Sequence, residues 1–314
     1  MDAHDPMKKW TKIVAGLRLP VIVAPMFLVS GPSLVIAACR QGIIGSFPTA
    51  YPRTTAELAR WLEEIETGLA DAPAGSAPYA ANLIVHQTNP RAQEDLALIC
   101  EHKVPVVIAS VGNPVPVIEP VHAYGGVVLT DVATISHARK AVERGVDGLI
   151  LLCAGAGGHT GWINPFAFVR AVRAFYDGPV ILAGGIADGI GLHAAQELGA
   201  DLAYLGTRFI AAVESDASDE YRQMIVDSAA DDIVLTQAVS GLPANWLKAS
   251  LQRAGYTDLE TPRPGGFSFS ENMKAWRDVW GAGHGVGTTS AITPVAQIVA
   301  ELEQEYRSAQ ARHA

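Results

Sequence analysis

Residues 19–39, LPVIVAPMFLVSGPSLVIAAC, contain no charged side chain. They follow Lys8, Lys9, Lys12 and Arg18, and Ile36-Ala37-Ala38-Cys39 resembles a bacterial lipoprotein cleavage box. Length and flanks therefore admit a membrane helix or a targeting segment. The residues inside the stretch decide against both. Pro20, Pro25, Gly31 and Pro32 cut it into pieces too short for a helix that spans a bilayer. What remains is a buried strand at 21–26, a turn, and a helix after it. No other segment competes for a membrane.

Strand, turn and helix then recur. Short β-rich apolar runs lie at 21–26, 43–47, 80–85, 105–109, 127–131, 148–153, 179–183 and 202–205. Few alternate polar with apolar residues, and continuous apolar runs mark strands buried on both faces, as in a parallel sheet. Helical patterns fill the gaps. Thr54 with Glu57 forms a capping box ahead of Leu58, Leu62 and Ile65. Thr134 caps a helix that stops at Gly145, and Asp188 caps one that stops at Gly199.

Such an alternation of strands and helices predicts an α/β fold, a closed (β/α)8 TIM barrel, with a doubly wound open sheet as its rival. The closing helix does not follow the last strand at once. Its candidate starts at Thr293 as cap and Pro294 as first helical residue, then carries Val295, Ile298, Leu302 and Tyr306. Between them lie acidic clusters, Glu214-Ser215-Asp216 and Asp231-Asp232, and the loop from Thr261 to Gly266. The sequence thus predicts a barrel from residues 1–212 and 283–314, with 213–282 as an inserted, mostly helical lid domain over the barrel mouth.

Composition narrows the function. Of 314 residues, 49% are hydrophobic and 18% charged, which excludes a disordered chain. A net charge of -9 and a pI near 5.5 argue against a nucleic-acid partner, which needs a basic face. Cys39, Cys100 and Cys153 show no CxxC spacing, so a disulfide framework or zinc site is not expected, and a reducing cytoplasm fits. The partner expected is a small molecule, and the protein a monomer or homodimer.

Barrel enzymes place their sites at the C-terminal ends of the strands. Here those ends carry Ala24-Pro25-Met26, Asn82, Thr130-Asp131, the glycine-rich run from Cys153 to Gly161, Ala183-Gly184-Gly185 and Gly206-Thr207. Glycines after strands seven and eight let backbone N–H groups approach an anion closely, and these loops are the usual phosphate site of the fold. No GxGxxG follows strand one, which disfavours a Rossmann dinucleotide site. His159 sits among Gly155, Gly157, Gly158 and Gly161, in a loop suited to fold around a ligand. An imidazole there can exchange a proton near neutrality or hold an anion. Metal-ligand spacing is absent, and neither Ser33 nor Ser136 has a nucleophile-elbow context.

These residues, in this order, resemble the nitronate monooxygenases, formerly called 2-nitropropane dioxygenases. The Ala156-Gly157-Gly158-His159-Thr160-Gly161 loop is the most specific element, joined by Ala183-Gly184-Gly185-Ile186 and Gly206-Thr207-Arg208-Phe209. The resemblance implies an FMN-dependent oxidoreductase that oxidises alkyl nitronates with O2 to carbonyl compounds and nitrite. It implies His159 as the catalytic residue. It also implies a cofactor site of Ala24, Pro25, Met26, Asn82, Asp131, Gly157, Gly158, Ala183, Gly184, Gly185, Gly206 and Thr207, and no metal.

Two positions depart from the family pattern. Asp131 stands where members often carry lysine, and either faces the flavin or caps the next helix. His284, within Gly283-His284-Gly285, stands where relatives often have glutamine, and can still donate to a phosphate. Phe27, Phe47, Trp162 and Tyr204 are candidates to line the pocket, and Trp246, Trp276 and Trp280 to belong to the lid. Two FMN barrels share much of this motif set, the enoyl-acyl carrier protein reductases and an NADH:quinone reductase, so an NAD(P)H reductase is the alternative. A non-catalytic flavin carrier is the reading from another class, and His159 in its glycine loop argues against it.

Overall fold

A computed structural model describes residues 6–265 and 267–312; residues 1–5, Gly266 and 313–314, included in the expected ranges, lie outside it. The barrel strands are β1 (Val21–Val23), β2 (Ser46–Pro48), β3 (Ala80–Ile84), β4 (Val106–Ser110), β5 (Val127–Val132), β6 (Gly148–Leu152), β8 (Val180–Ala183) and β9 (Leu202–Leu205). A two-residue strand, β7 (Gly158–His159), leaves the barrel after β6. The eight are parallel, in the order β1-β9-β8-β6-β5-β4-β3-β2. The ring closes through a single residue. Ile44 forms a parallel bridge to Ile22, donating to Val21 O and accepting from Val23 N. The expected run at 43–47 therefore splits into this bridge and β2.

Ile22, Ile44, Val106, Ile108, Val127, Leu129, Ile150, Ile181 and Leu202 fill the barrel interior, with Trp10 of the first helix, α1 (Pro6–Ala15), packed onto them. Continuous apolar strands need a second apolar layer outside, and the helices supply it. They are α2 (Pro32–Arg40), α3 (Thr55–Ala70), α4 (Ala92–Glu101), α5 (Val115–Ala123), α6 (Ile135–Glu143), α7 (Pro165–Arg173) and α8 (Gly189–Leu198). Residues 19–39 form β1, a turn and α2, with Cys39 fully buried. The expected caps form: Thr54, Thr134 and Asp188 accept from the N–H groups of Glu57, His137 and Gly191. No helix among the described residues is long and apolar enough to cross a membrane.

After the short α9 (Thr207–Ile210) the chain leaves the barrel at Ala212 and returns at Thr293, where the two residues form a parallel bridge. The excursion carries α10 (Asp219–Val226), α11 (Lys248–Arg253) and α12 (Phe269–Asp278). It also carries β10 (Ile233–Thr236) and β11 (Ala244–Leu247), an antiparallel pair whose sheet is completed by β7. Helices hold most of the regular structure of this excursion, and the strand pair is an addition to what the sequence announces. A short β-branched run such as Ile233-Val234-Leu235-Thr236 reads weakly on its own, and its sheet is completed from a distant loop.

The final helix, α13 (Val295–Ala311), packs against α8 and α2 and completes the outer ring. Its cap is not the expected Thr293. Pro294 occupies the cap position, and the carboxylate of Glu214 accepts from Val295 N at 2.9 Å. The crossing of α13 with α8 is close. A Cβ on Gly189 would lie 2.2 Å from Leu302 O and 2.3 Å from Tyr306 N. Both are backbone atoms, so relief requires the helices to part. Gly189→Ala is therefore expected to destabilise the protein by about 3 kcal/mol, the upper end for overpacking. An unchanged thermal midpoint would show that the helices do not meet this closely.

Candidate active site

The strand ends surround one cavity, and the residues singled out from sequence line it together. Ala24, Pro25 and Met26 enter it from the turn after β1. That turn is held by Ser30, whose hydroxyl donates to Ala24 O and accepts from Met26 N at 3.0 Å. Asn82 arrives from β3, and its amide nitrogen donates to Ile108 O and to Ser110 Oγ at 2.6 Å. Gly157, Gly158 and His159 come from the loop after β6, Ala183, Gly184 and Gly185 from β8 and its loop, and Gly206 and Thr207 from the end of β9.

The glycines are of two kinds. At Gly157 a Cβ would lie 2.7 Å from Gly283 N, so this glycine permits two backbones to touch. Gly185 has φ +73° and open space where its Cβ would be. There the missing side chain leaves room beside a left-handed backbone, a cradle suited to an anion. Opposite, Thr207 Oγ1 accepts from Gly283 N at 2.8 Å, which leaves its hydrogen to donate.

His159 forms β7 with its neighbour and pairs with Ala244, while Gly158 pairs with Asn245. Asn245 also donates to Ala156 O at 2.7 Å, so the loop is held by its backbone at both ends. The imidazole meets Trp276 edge-on at 5.3 Å and Phe267 at 6.1 Å between ring centroids. Trp276 stacks in turn on the buried Trp246 at 4.2 Å.

Asp131 lines the cavity and does not cap the following helix, because Thr134 does. Burial raises its carboxyl to about 6, against hydrogen bonds from Ser110 and the Val111 backbone that favour the charged form. Burial also holds the phenol of Tyr204, which faces Asp131, far above its ordinary value. Among the described residues, the titratable side chains that line the cavity are Asp131, His159, Tyr204 and Tyr221, with no lysine or arginine.

Other candidates fall elsewhere. Phe27, Tyr204 and Trp276 reach the cavity, but Phe47 is buried in the core and Trp162 is 78% exposed. Trp280 stacks on Tyr221 instead. The His284 side chain is exposed, and only its neighbours Gly283 and Gly285 line the wall. Sequence reasoning missed Ser110, Val111, Tyr221, Phe267 and Met273. Strand four ends in Ala109-Ser110, followed by Val111, with no charged group to mark it. The Phe269–Asp278 helix did offer a signal, Met273 and Trp276 one turn apart on one face.

The family model for nitronate monooxygenase matches residues 78–262. A nitronate monooxygenase of Paraburkholderia phytofirmans is 29% identical, over 93% of this chain and 93% of its own. The solved structure of a nitroalkane oxidase from Streptomyces ansochromogenes is 25% identical and superposes with a TM-score of 0.81, covering 98% of this chain and all of that one. FabK from Thermotoga maritima is 29% identical with a TM-score of 0.78, over 96% of this chain and 97% of its own.

Proposed function

Because this chain belongs to the nitronate monooxygenase family, we propose that it binds FMN in the barrel mouth and oxidises alkyl nitronates with O2 to carbonyl compounds and nitrite. The observation that carries this reading is His159, which lines the same cavity as the glycine cradle. The residues present suit FMN. Gly184, Gly185, Gly206 and Thr207 would hold its phosphate through backbone N–H groups and one hydroxyl. Pro25 and Met26 would pack on its ring, and Asn82, Asp131, Ala183, Gly157 and Gly158 would complete the slot. Bound FMN supplies an acceptor for substrate electrons and a donor of electrons to O2.

The protein's own part is binding and proton handling. A nitronate already has carbanion character, so no proton need leave before it is oxidised. His159 then holds the anion, and a hydrogen bond to a charged group is worth about 1.5–3 kcal/mol. With no cationic lysine or arginine in the cavity wall, the imidazole is the side chain suited to that task. Phe267, Met273 and Trp276 pack the alkyl group and exclude water, so residues 213–282 serve as the substrate cover.

The test is anaerobic mixing of the purified protein with propionate 3-nitronate, ethylnitronate, NADH and NADPH in turn. Nitronates are expected to bleach the flavin absorbance, and denaturation to release FMN rather than FAD. Protein that neither carries nor takes up FMN defeats the cofactor reading. Rapid reduction by a nicotinamide with no response to nitronates replaces the oxidase by the reductase.

A further inference from the structure

We propose that Asp131 is a proton-loading residue: its carboxyl takes up a proton when the flavin binds, and it faces the bound cofactor as a neutral hydrogen-bond donor. The inference rests on the cofactor reading above and concerns a side chain that the proposed oxidation does not use.

Three observations carry it. The first is a directed hydrogen-bond chain along the ends of three adjacent strands. Asn82 of β3 donates its amide hydrogen to Ser110 Oγ of β4. Ser110 accepts there, which leaves its own hydrogen free for the Asp131 carboxyl of β5, whose charged form Ser110 and the Val111 N–H both favour. The wall thus supplies two donors to the carboxyl, which also lines the cavity, where a proton on it can be donated.

The second is backbone strain placed at the same point. Val111 has φ +53°, an outlier for a β-branched residue. Gly112 follows with φ +154°, where a Cβ would meet Val85 O at 2.8 Å. This strained turn supplies the N–H that Asp131 accepts, and strain of this kind gathers at ligand sites.

The third is the missing countercharge. Among groups facing Asp131, Ser110 and Val111 are neutral, Ile150 beside it on β6 is apolar, and Tyr204 from β9 holds its proton. His159 and Tyr221 are the remaining titratable groups of the cavity, and the Tyr221 hydroxyl donates to Gly281 O. With the cavity open to water, the carboxyl is ionised above about pH 6. A ring bound there expels that water and brings electron density and a phosphate charge. Both changes disfavour the ionised form, so binding draws in a proton.

The experiment is calorimetric titration of flavin-stripped full-length protein with FMN at pH 7.5, in buffers of different ionisation enthalpy. The wild type is expected to take up roughly half to one proton more than Asp131→Asn. Its FMN affinity should fall by up to about tenfold per pH unit above pH 6 relative to the variant. Titration of the free FMN phosphate is common to both experiments and cancels in the difference. Infrared difference spectra of the wild type alone should show the C=O stretch of a protonated carboxylic acid appearing on FMN binding. FMN binding with equal proton counts, or without that band, overturns the inference and leaves the cofactor reading standing. Failure of the wild type to bind FMN overturns both.

Discussion

Replacing His159 with asparagine is expected to keep the flavin and to lower turnover of neutral nitroalkanes about 10²–10⁴-fold, the usual contribution of a general base. Turnover of preformed nitronates falls less, roughly ten- to hundredfold, the equivalent of one hydrogen bond to a charged group. The difference arises because only the neutral substrate has an α-proton to lose. Asparagine cannot accept a proton and keep it, and its shorter amide does not reach where the far ring nitrogen would. The cofactor should survive because His159 lies on β7, while the proposed phosphate cradle lies after β8 and β9. Steady-state kinetics on a nitroalkane and its separately prepared nitronate check this. Equal activity of mutant and wild type on both forms removes His159 from the mechanism.

Gly185→Val is expected to give protein with little or no FMN, an affinity loss of about a hundredfold or more. Two causes act together. A β-branched residue at φ +73° is strained, and its side chain would occupy the space left open for the phosphate. Two lost charge-assisted hydrogen bonds at 1.5–3 kcal/mol each account for the magnitude. Gly255→Val separates the causes. Gly255 has φ +78° and open space as well, but it lies outside the cavity. It should show the strain without the flavin loss. Visible absorbance of the purified variants, read beside their thermal midpoints, decides. Full FMN occupancy in Gly185→Val moves the phosphate elsewhere.

The barrel was legible because its strands are unbroken apolar runs and its helices carry their own caps. Thr54, Thr134 and Asp188 each act within three residues of themselves. What escaped depends on partners far away in sequence. Glu214 caps the last helix across 81 residues, and Ala244 makes a strand of His159. The site divides in the same way. Glycines and His159 announce themselves because few structural tasks need them in such density. Ser110 and Val111 do not, since their place in the cavity follows from the register of β4 against β3 and β5. Trp162 and Phe47 read alike as pocket aromatics, yet one lies at the surface and the other in the core. Only the three-dimensional path of the chain separates them.

The two-residue strand β7 works as an interlock. One edge of its backbone belongs to the barrel loop, and the other is hydrogen-bonded to the excursion at Ala244 and Asn245. The same excursion presses Trp276 and Phe267 against the imidazole. A displacement of the excursion would therefore also move His159, the residue proposed to hold the substrate. Grafting a foreign segment in place of 213–282 would re-aim His159 along with reshaping the pocket. Changes on the two sides of β7 accordingly depend on each other instead of adding, and substrate range and reactivity are inherited as one trait.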